Sequence, residues 1–161
     1  MVNIGLKHPT VSDAFARYVS RTPELLEIYL RGATATSITD EVVCAGCDVY
    51  GAPVTVPDSL HSLLADKLST LESQQISGFL FYRANATFCK LMLKRRPDVL
   101  KRLNSYYFPM TNDTDADLAV KLFEEGLLPE AIRKRFVNAQ RTPLLISRMR
   151  VSYMIQRWEL Y

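Results

Sequence analysis

Along most of the chain apolar residues return every three or four positions, the spacing of a helix that buries one face. Leu60, Leu63, Leu64, Leu68 and Leu71 follow that spacing, with Ser62, Asp66, Lys67 and Ser69 mainly opposite. In 77–95 the proportions invert. Phe79, Leu80, Phe81, Tyr82, Phe88, Leu91 and Met92 belong to an apolar majority, and Arg83, Thr87, Lys90 and Lys94 form a narrow polar stripe. This pattern predicts a helix buried on most sides at the centre of the domain, with Cys89 as a core residue. Leu118, Ala119, Leu122 and Phe123 mark the buried face of 114–125, and Gly126 offers the permissive backbone that ends it.

Prolines set the starts. Five of the eight stand at the head of a helical pattern (Pro9, Pro23, Pro57, Pro97 and Pro129), each with an acidic or hydroxyl residue in or beside the first turn. Proline lacks the N–H that a first turn leaves unpaired, and an acid there complements the positive end of the helix dipole. The spacing predicts helices near 10–20, 23–31, 36–45, 58–72, 77–95, 98–106, 114–125 and 129–140. One segment breaks the rhythm. In 47–57, β-branched and aromatic residues flank Gly51-Ala52, which predicts a short β-hairpin that Pro53 keeps at an edge. The expected fold is all-α, an irregular α-solenoid-like array with one small β element. It divides into a helical domain over 1–140 and a basic amphipathic tail over 141–161.

With 161 residues, 48% of them hydrophobic and 23% charged, the chain can bury a core without disulfides or metal. Six glycines are too few for collagen or a flexible linker, and the charge is too balanced for disorder. No run approaches the roughly 20 apolar residues of a membrane span, and Met1–His8 has no secretory-signal pattern. A cytoplasmic protein is expected. The net charge of +3 hides an asymmetry, −4 over 1–80 and +7 over 81–161. Lys94, Arg95, Arg96, Lys101, Arg102, Arg133, Lys134 and Arg135 cluster, with Arg141, Arg148, Arg150 and Arg157 following. Such a half can meet nucleic acid or an acidic partner. The plainer reading is a solvated helix face, since Asp113, Asp115, Asp117, Glu124 and Glu125 interrupt the stripe.

Cys44-Ala45-Gly46-Cys47 has the spacing of a redox pair or half a zinc site. Zinc would need further ligands, and Cys89, His8 and His61 stand alone in the sequence. A reactive thiol is favoured at a helix start, whereas this pair is expected at the far end of helix 36–45, where the dipole opposes a thiolate. Buried small cysteines are the simpler reading, so Cys44 and Cys47 are weak metal candidates and no cofactor is implied. P-loop, G-x-G-x-x-G, G-x-S-x-G and H-E-x-x-H patterns are all missing. His61 is expected at the surface or at a polar boundary. No base and nucleophile are placed together by the sequence, and catalysis is not expected.

Leu6-Lys7-His8-Pro9-Thr10-Val11-Ser12-Asp13-Ala14-Phe15 resembles a K-H-P-T-(I/V)-x-D-A-F stretch found downstream of the NTPase core in a group of STAND-type P-loop NTPases, where it opens a helical C-terminal part. Pro23–Gly32, Tyr82-Arg83-Ala84-Asn85 and Glu125-Gly126-Leu127-Leu128-Pro129 are similar to the same region. The resemblance extends over residues 5–140. It implies a C-terminal piece of a nucleotide-driven switch in bacterial defence or signalling. The partner would be another protein or the remainder of the NTPase, and no ATP-binding residue carries over.

Residues 141–161 depart from that pattern. Val151, Met154, Ile155 and Trp158 share one helical face, and Trp158 beside Arg157 can stack on bases or enter a partner's groove. A last helix docked by its apolar side is the simpler expectation. The leading functional expectation is a non-catalytic interaction or sensing module, and the alternative is a nucleic-acid-binding module using the basic half.

Overall fold

The computed structural model describes residues 9–47, 49, 54–105 and 114–140. Their order is α1 (Pro9–Arg21), α2 (Pro23–Gly32), α3 (Ala35–Glu41), β1 (Val42–Cys44), β2 (Val54–Val56), a 3-10 turn (Asp58–Leu60), α4 (His61–Leu68), α5 (Ser73–Arg83), α6 (Ala86–Arg95), α7 (Pro97–Ser105), α8 (Thr114–Glu124) and α9 (Glu130–Gln140). The fold is all-α with a small β element. No helix among the described residues is long and apolar enough to cross a membrane. The expected tail over 141–161, with Arg157 and Trp158, lies outside the described residues.

Local chemistry explains the starts. Pro23 and Pro97 open their helices with Glu24 and Asp98 in the first turn. Thr34 accepts from Ser37 N at 3.1 Å to cap α3, and Glu72 N–H donates to Gln75 Oε1 at 3.3 Å at the head of α5. Such contacts satisfy donors that a first turn leaves orphaned. Gly126 ends α8 with a φ of 69°, the conformation its lack of a Cβ permits.

The predicted long helix 77–95 is instead two helices, α5 and α6. Ala84 and Asn85 are extended between them. Asn85 Oδ1 accepts from Phe88 N at 2.9 Å, and its Nδ2 donates to Ala45 O at 3.0 Å and Asp58 Oδ1 at 3.2 Å. The side chain thus caps α6 and ties the break to the 3-10 turn and the end of β1. The predicted helix 36–45 stops at Glu41, because Val42 and Val43 enter a strand that suits their branched side chains. The expected hairpin is also corrected. β2 does fall within 47–57, but it pairs in parallel with β1, Val42 opposite Val54 and Cys44 opposite Val56. Burial decides the pairing: Val42, Cys44, Val54 and Val56 are all within 2% of full burial.

Elements both near and far in sequence share one core. α5 packs on α7, α8 and β1, α4 packs on α2 and α6, and β2 lies on α1. Leu30, Ile38, Leu64, Ile76, Leu80 and Phe88 are wholly buried where these elements meet. Leu64 and Leu68 form the expected buried face of α4, with Leu60, Leu63 and Leu71 packed against the same core. Phe123, expected inside, is 36% exposed at the edge of α8, with its ring centroid 5.2 Å from that of Phe136 in α9.

Candidate functional site

The basic clusters lie where helices meet. At the α6–α7 junction Arg95 donates to Ser62 O at 3.1 Å and Ser62 Oγ at 2.8 Å, and pairs with Asp66 of α4. Arg96 reaches further. Its Nη1 donates to Ser69 O at 2.7 Å and Leu71 O at 2.8 Å, while Nε and Nη2 grip Asp98 Oδ1 and Oδ2 at 2.8 and 2.7 Å. The two-pronged grip matches a planar guanidinium to a carboxylate. Ser73 Oγ also donates to Asp98, so the end of α4 and the starts of α5 and α7 meet on one arginine. Arg96 above all, then Ser73, hold the Asp98 carboxyl well below the usual carboxylate range.

On α7, Arg102 Nε donates to Asp115 Oδ2 of α8 at 2.5 Å, and Asp115 is 1% exposed. Arg135 of α9 donates to both the carbonyl and the side chain of Asn104. Arg133 and Lys134 lie only 3.9 and 3.7 Å from Glu130 and are exposed, a geometry that contributes little. Lys94 and Lys101 are exposed. The residues read as one basic patch therefore divide. Arg95, Arg96, Arg102 and Arg135 join elements to one another, and Lys94, Lys101, Arg133 and Lys134 face outward.

Sequence reasoning missed Lys121. From α8 its ammonium donates to Leu80 O at 2.8 Å, Phe81 O at 3.0 Å and Ala84 O at 2.5 Å, closing the end of α5 with three charge-assisted bonds. Cations suit that negative helix end, and a lysine has three donors to give. Nothing in the sequence marks the role, because the carbonyls lie about forty residues away.

The cysteines sit differently from expectation. Cys44 closes β1 rather than a helix, and Cys47 N–H donates to Cys44 O at 3.1 Å across a turn in which Gly46 has a φ of 84°. Burial pushes the Cys44 and Cys89 thiols up to about 12 and raises Cys47 less, against the pull of Lys121. Thiolates are therefore disfavoured. Among the described residues no three His, Cys, Asp or Glu side chains are placed to hold a metal.

His61 is 3% exposed, not a surface or boundary residue. It sits where the chain enters α4 and packs edge-on against Phe88 with centroids 5.1 Å apart. Its Nε2 is 3.3 Å from Asp58 Oδ1 without hydrogen-bond alignment. Burial lowers its pKa below the ordinary 6.5, with Asp58 opposing. The unfolded chain then takes up a proton near pH 6.5 that the folded chain refuses, so this contribution is complete above about 6.5 and is lost as pH falls. Asp98, with its depressed value, adds a second loss only as pH falls below about 3.9. The melting temperature is expected to fall as pH drops below about 6.5, partly offset by Glu125, whose carboxyl pKa is raised by burial, and His61→Phe should fall less over the same range. An equal fall in the wild type and His61→Phe would contradict the assignment.

A shallow cleft opens between α3 and α5. Thr39, Asp40, Gln75, Gly78, Phe79, Tyr82 and Arg83 line a volume of about 250 Å³. Small-molecule pockets usually measure ~300–1,000 Å³, so this cleft is sized for a side chain. Phe15, Tyr18 and Ile28 on α1 and α2 are also exposed, by 49%, 63% and 65%. No protein-family model, curated protein or solved structure matches the chain.

Proposed function

We propose that the chain is a non-catalytic helical module for protein interaction or sensing, of the kind that forms the C-terminal region of STAND-type NTPases. Its setting is the bacterial cytoplasm, in defence or signalling, and its partner is another protein or the remainder of a larger NTPase. One observation carries the reading. The most chemically conspicuous side chains, Arg95, Arg96, Arg102 and Arg135, bond to other parts of the same chain. They build a frame, which leaves outward the cations Lys94, Lys101, Arg133 and Lys134, several exposed aromatic and aliphatic side chains, and a cleft of side-chain size.

Buried, protonated thiols and a neutral enclosed histidine also suit a frame better than a reaction centre. The stretch that resembles the NTPase family runs into α1, whose Phe15 and Tyr18 are among the exposed side chains. Purified chain with ATP and magnesium is expected to give no turnover above buffer, measured as released phosphate. Turnover that follows the chain through purification and disappears on its denaturation would overturn the reading.

A further inference from the structure

We propose that the cleft between α3 and α5 receives an arginine side chain of a partner protein; this deepens the interaction-module reading and rests on it. Three features converge there. Asp40 lies on the rim, exposed, with no hydrogen-bond or ion-pair partner among the described residues. Its neighbour Glu41 is engaged by the Tyr29 hydroxyl at 2.6 Å, so Asp40 is the carboxylate left over. Both acids sit in the last turn of α3, which holds no base. Carboxylates are disfavoured at that negative helix end, and their charge adds to its potential. A cation approaching the rim meets both.

Tyr82 supplies a second wall. It is 53% exposed, yet its ring is held against Phe81 with centroids 4.5 Å apart and planes at 66°. An aromatic ring and a carboxylate that line one cleft suit a guanidinium, which can stack on the ring and fork onto the acid, better than a compact ammonium. Gly78 is the third feature. It lies inside α5, where glycine is disfavoured relative to alanine. It has no positive φ, and an added Cβ would meet nothing within 4 Å. Neither backbone nor packing demands glycine there, but the open space above it is the cleft.

Arg83 also lines the cleft, and its charge opposes a second cation. Its Nη1 donates to Val42 O at 3.4 Å, which leaves the other guanidinium donors for carbonyls of the incoming backbone. The arrangement therefore fits a peptide segment that brings one arginine to Asp40 and Tyr82.

The test uses the full chain labelled with nitrogen-15 and the peptide acetyl-Gly-Arg-Gly-amide as probe. Saturable shifts are expected at the Gly78 and Tyr82 amides at millimolar peptide. The citrulline peptide, isosteric but uncharged, should bind at least about tenfold more weakly, and so should the arginine peptide to Asp40→Asn. Tyr82→Leu should weaken binding about three- to fivefold, and Gly78→Leu should abolish it. Asp40 and Tyr82 are exposed and Gly78 partly so, and a melting temperature no lower than that of the wild type confirms that each variant folds. No saturable shift, equal binding of citrulline, or an unaffected Asp40→Asn would each overturn the proposal. Such a failure without ATP turnover rejects the cleft alone, whereas turnover rejects the module.

Discussion

Phe88→Ala is expected to lower stability by about 3–5 kcal/mol, the range for removing a large aromatic from a packed core. Phe88 is fully buried where three elements converge. Its ring meets His61 edge-on at 5.1 Å and Phe79 at 5.7 Å, so it links the first turn of α4, the middle of α5 and the start of α6. Its own N–H is the group that Asn85 caps. Truncation would leave a cavity that these neighbours cannot close without moving the α5–α6 break. In urea the midpoint should fall with little change in slope. Phe88→Leu should cost less, because most of the volume is kept. Both variants keep the backbone N–H that Asn85 caps, so equal losses would contradict the assignment of the effect to the volume of the ring.

Arg102→Ala is expected to cost about 3 kcal/mol, the low end for breaking a buried ion pair. The reason lies with its partner: Asp115 is 1% exposed, and removing the guanidinium leaves a carboxylate enclosed by protein. The low end applies because the Arg102 side chain is 36% exposed and partly screened. Arg102→Ala with Asp115→Asn should recover part of the loss, since the buried charge goes with its partner. Arg133→Ala should change stability by less than about 0.5 kcal/mol, as befits a loose surface pair. Both residues belong to basic clusters in the sequence, so the contrast separates clamps from solvated charges.

The starts at Pro23 and Pro97 and the stop at Gly126 were readable, whereas the ends of the expected helices 36–45 and 58–72 and the break inside 77–95 were not. Pro23 and Pro97 announce α2 and α7 because proline acts within its own turn, and Gly126 marks the end of α8 for the same local reason. The α5–α6 break has apolar residues on both sides and no glycine or proline, so periodicity runs straight through it. Only Asn85 hints at it, and its partners Ala45 and Asp58 are distant in sequence. Val42-Val43 continues a helical pattern on paper, and its strand exists because Val54 and Val56 lie alongside.

Charge was legible as composition but not as direction. The chain shows where arginines cluster, while Ser69, Leu71, Asp98 and Asp115 decide that Arg96 and Arg102 turn inward. Lys121 is the extreme case, an unremarked lysine whose three acceptors are backbone carbonyls of another helix. His61 was misplaced for a related reason. Its position near the polar boundary of a leucine-rich helix gives no sign of the Phe88 ring that encloses it.

Arg95, Arg96, Arg102 and Arg135 of the cationic half are engaged by the fold itself. The salt dependence of binding to a duplex DNA or an RNA hairpin tests that most directly. With Lys90, Lys94, Lys101, Arg133 and Lys134 outward, a chain carrying Gln at Arg141, Arg148, Arg150 and Arg157 should show any retention at low salt weakening with a logarithmic slope no steeper than about −4 to −5, from about 0.9 counterions released per neutralised phosphate. In that chain a slope near −7 or steeper would require the clamping arginines to engage phosphates as well, which they could not do while holding the helices together, so it would contradict that engagement.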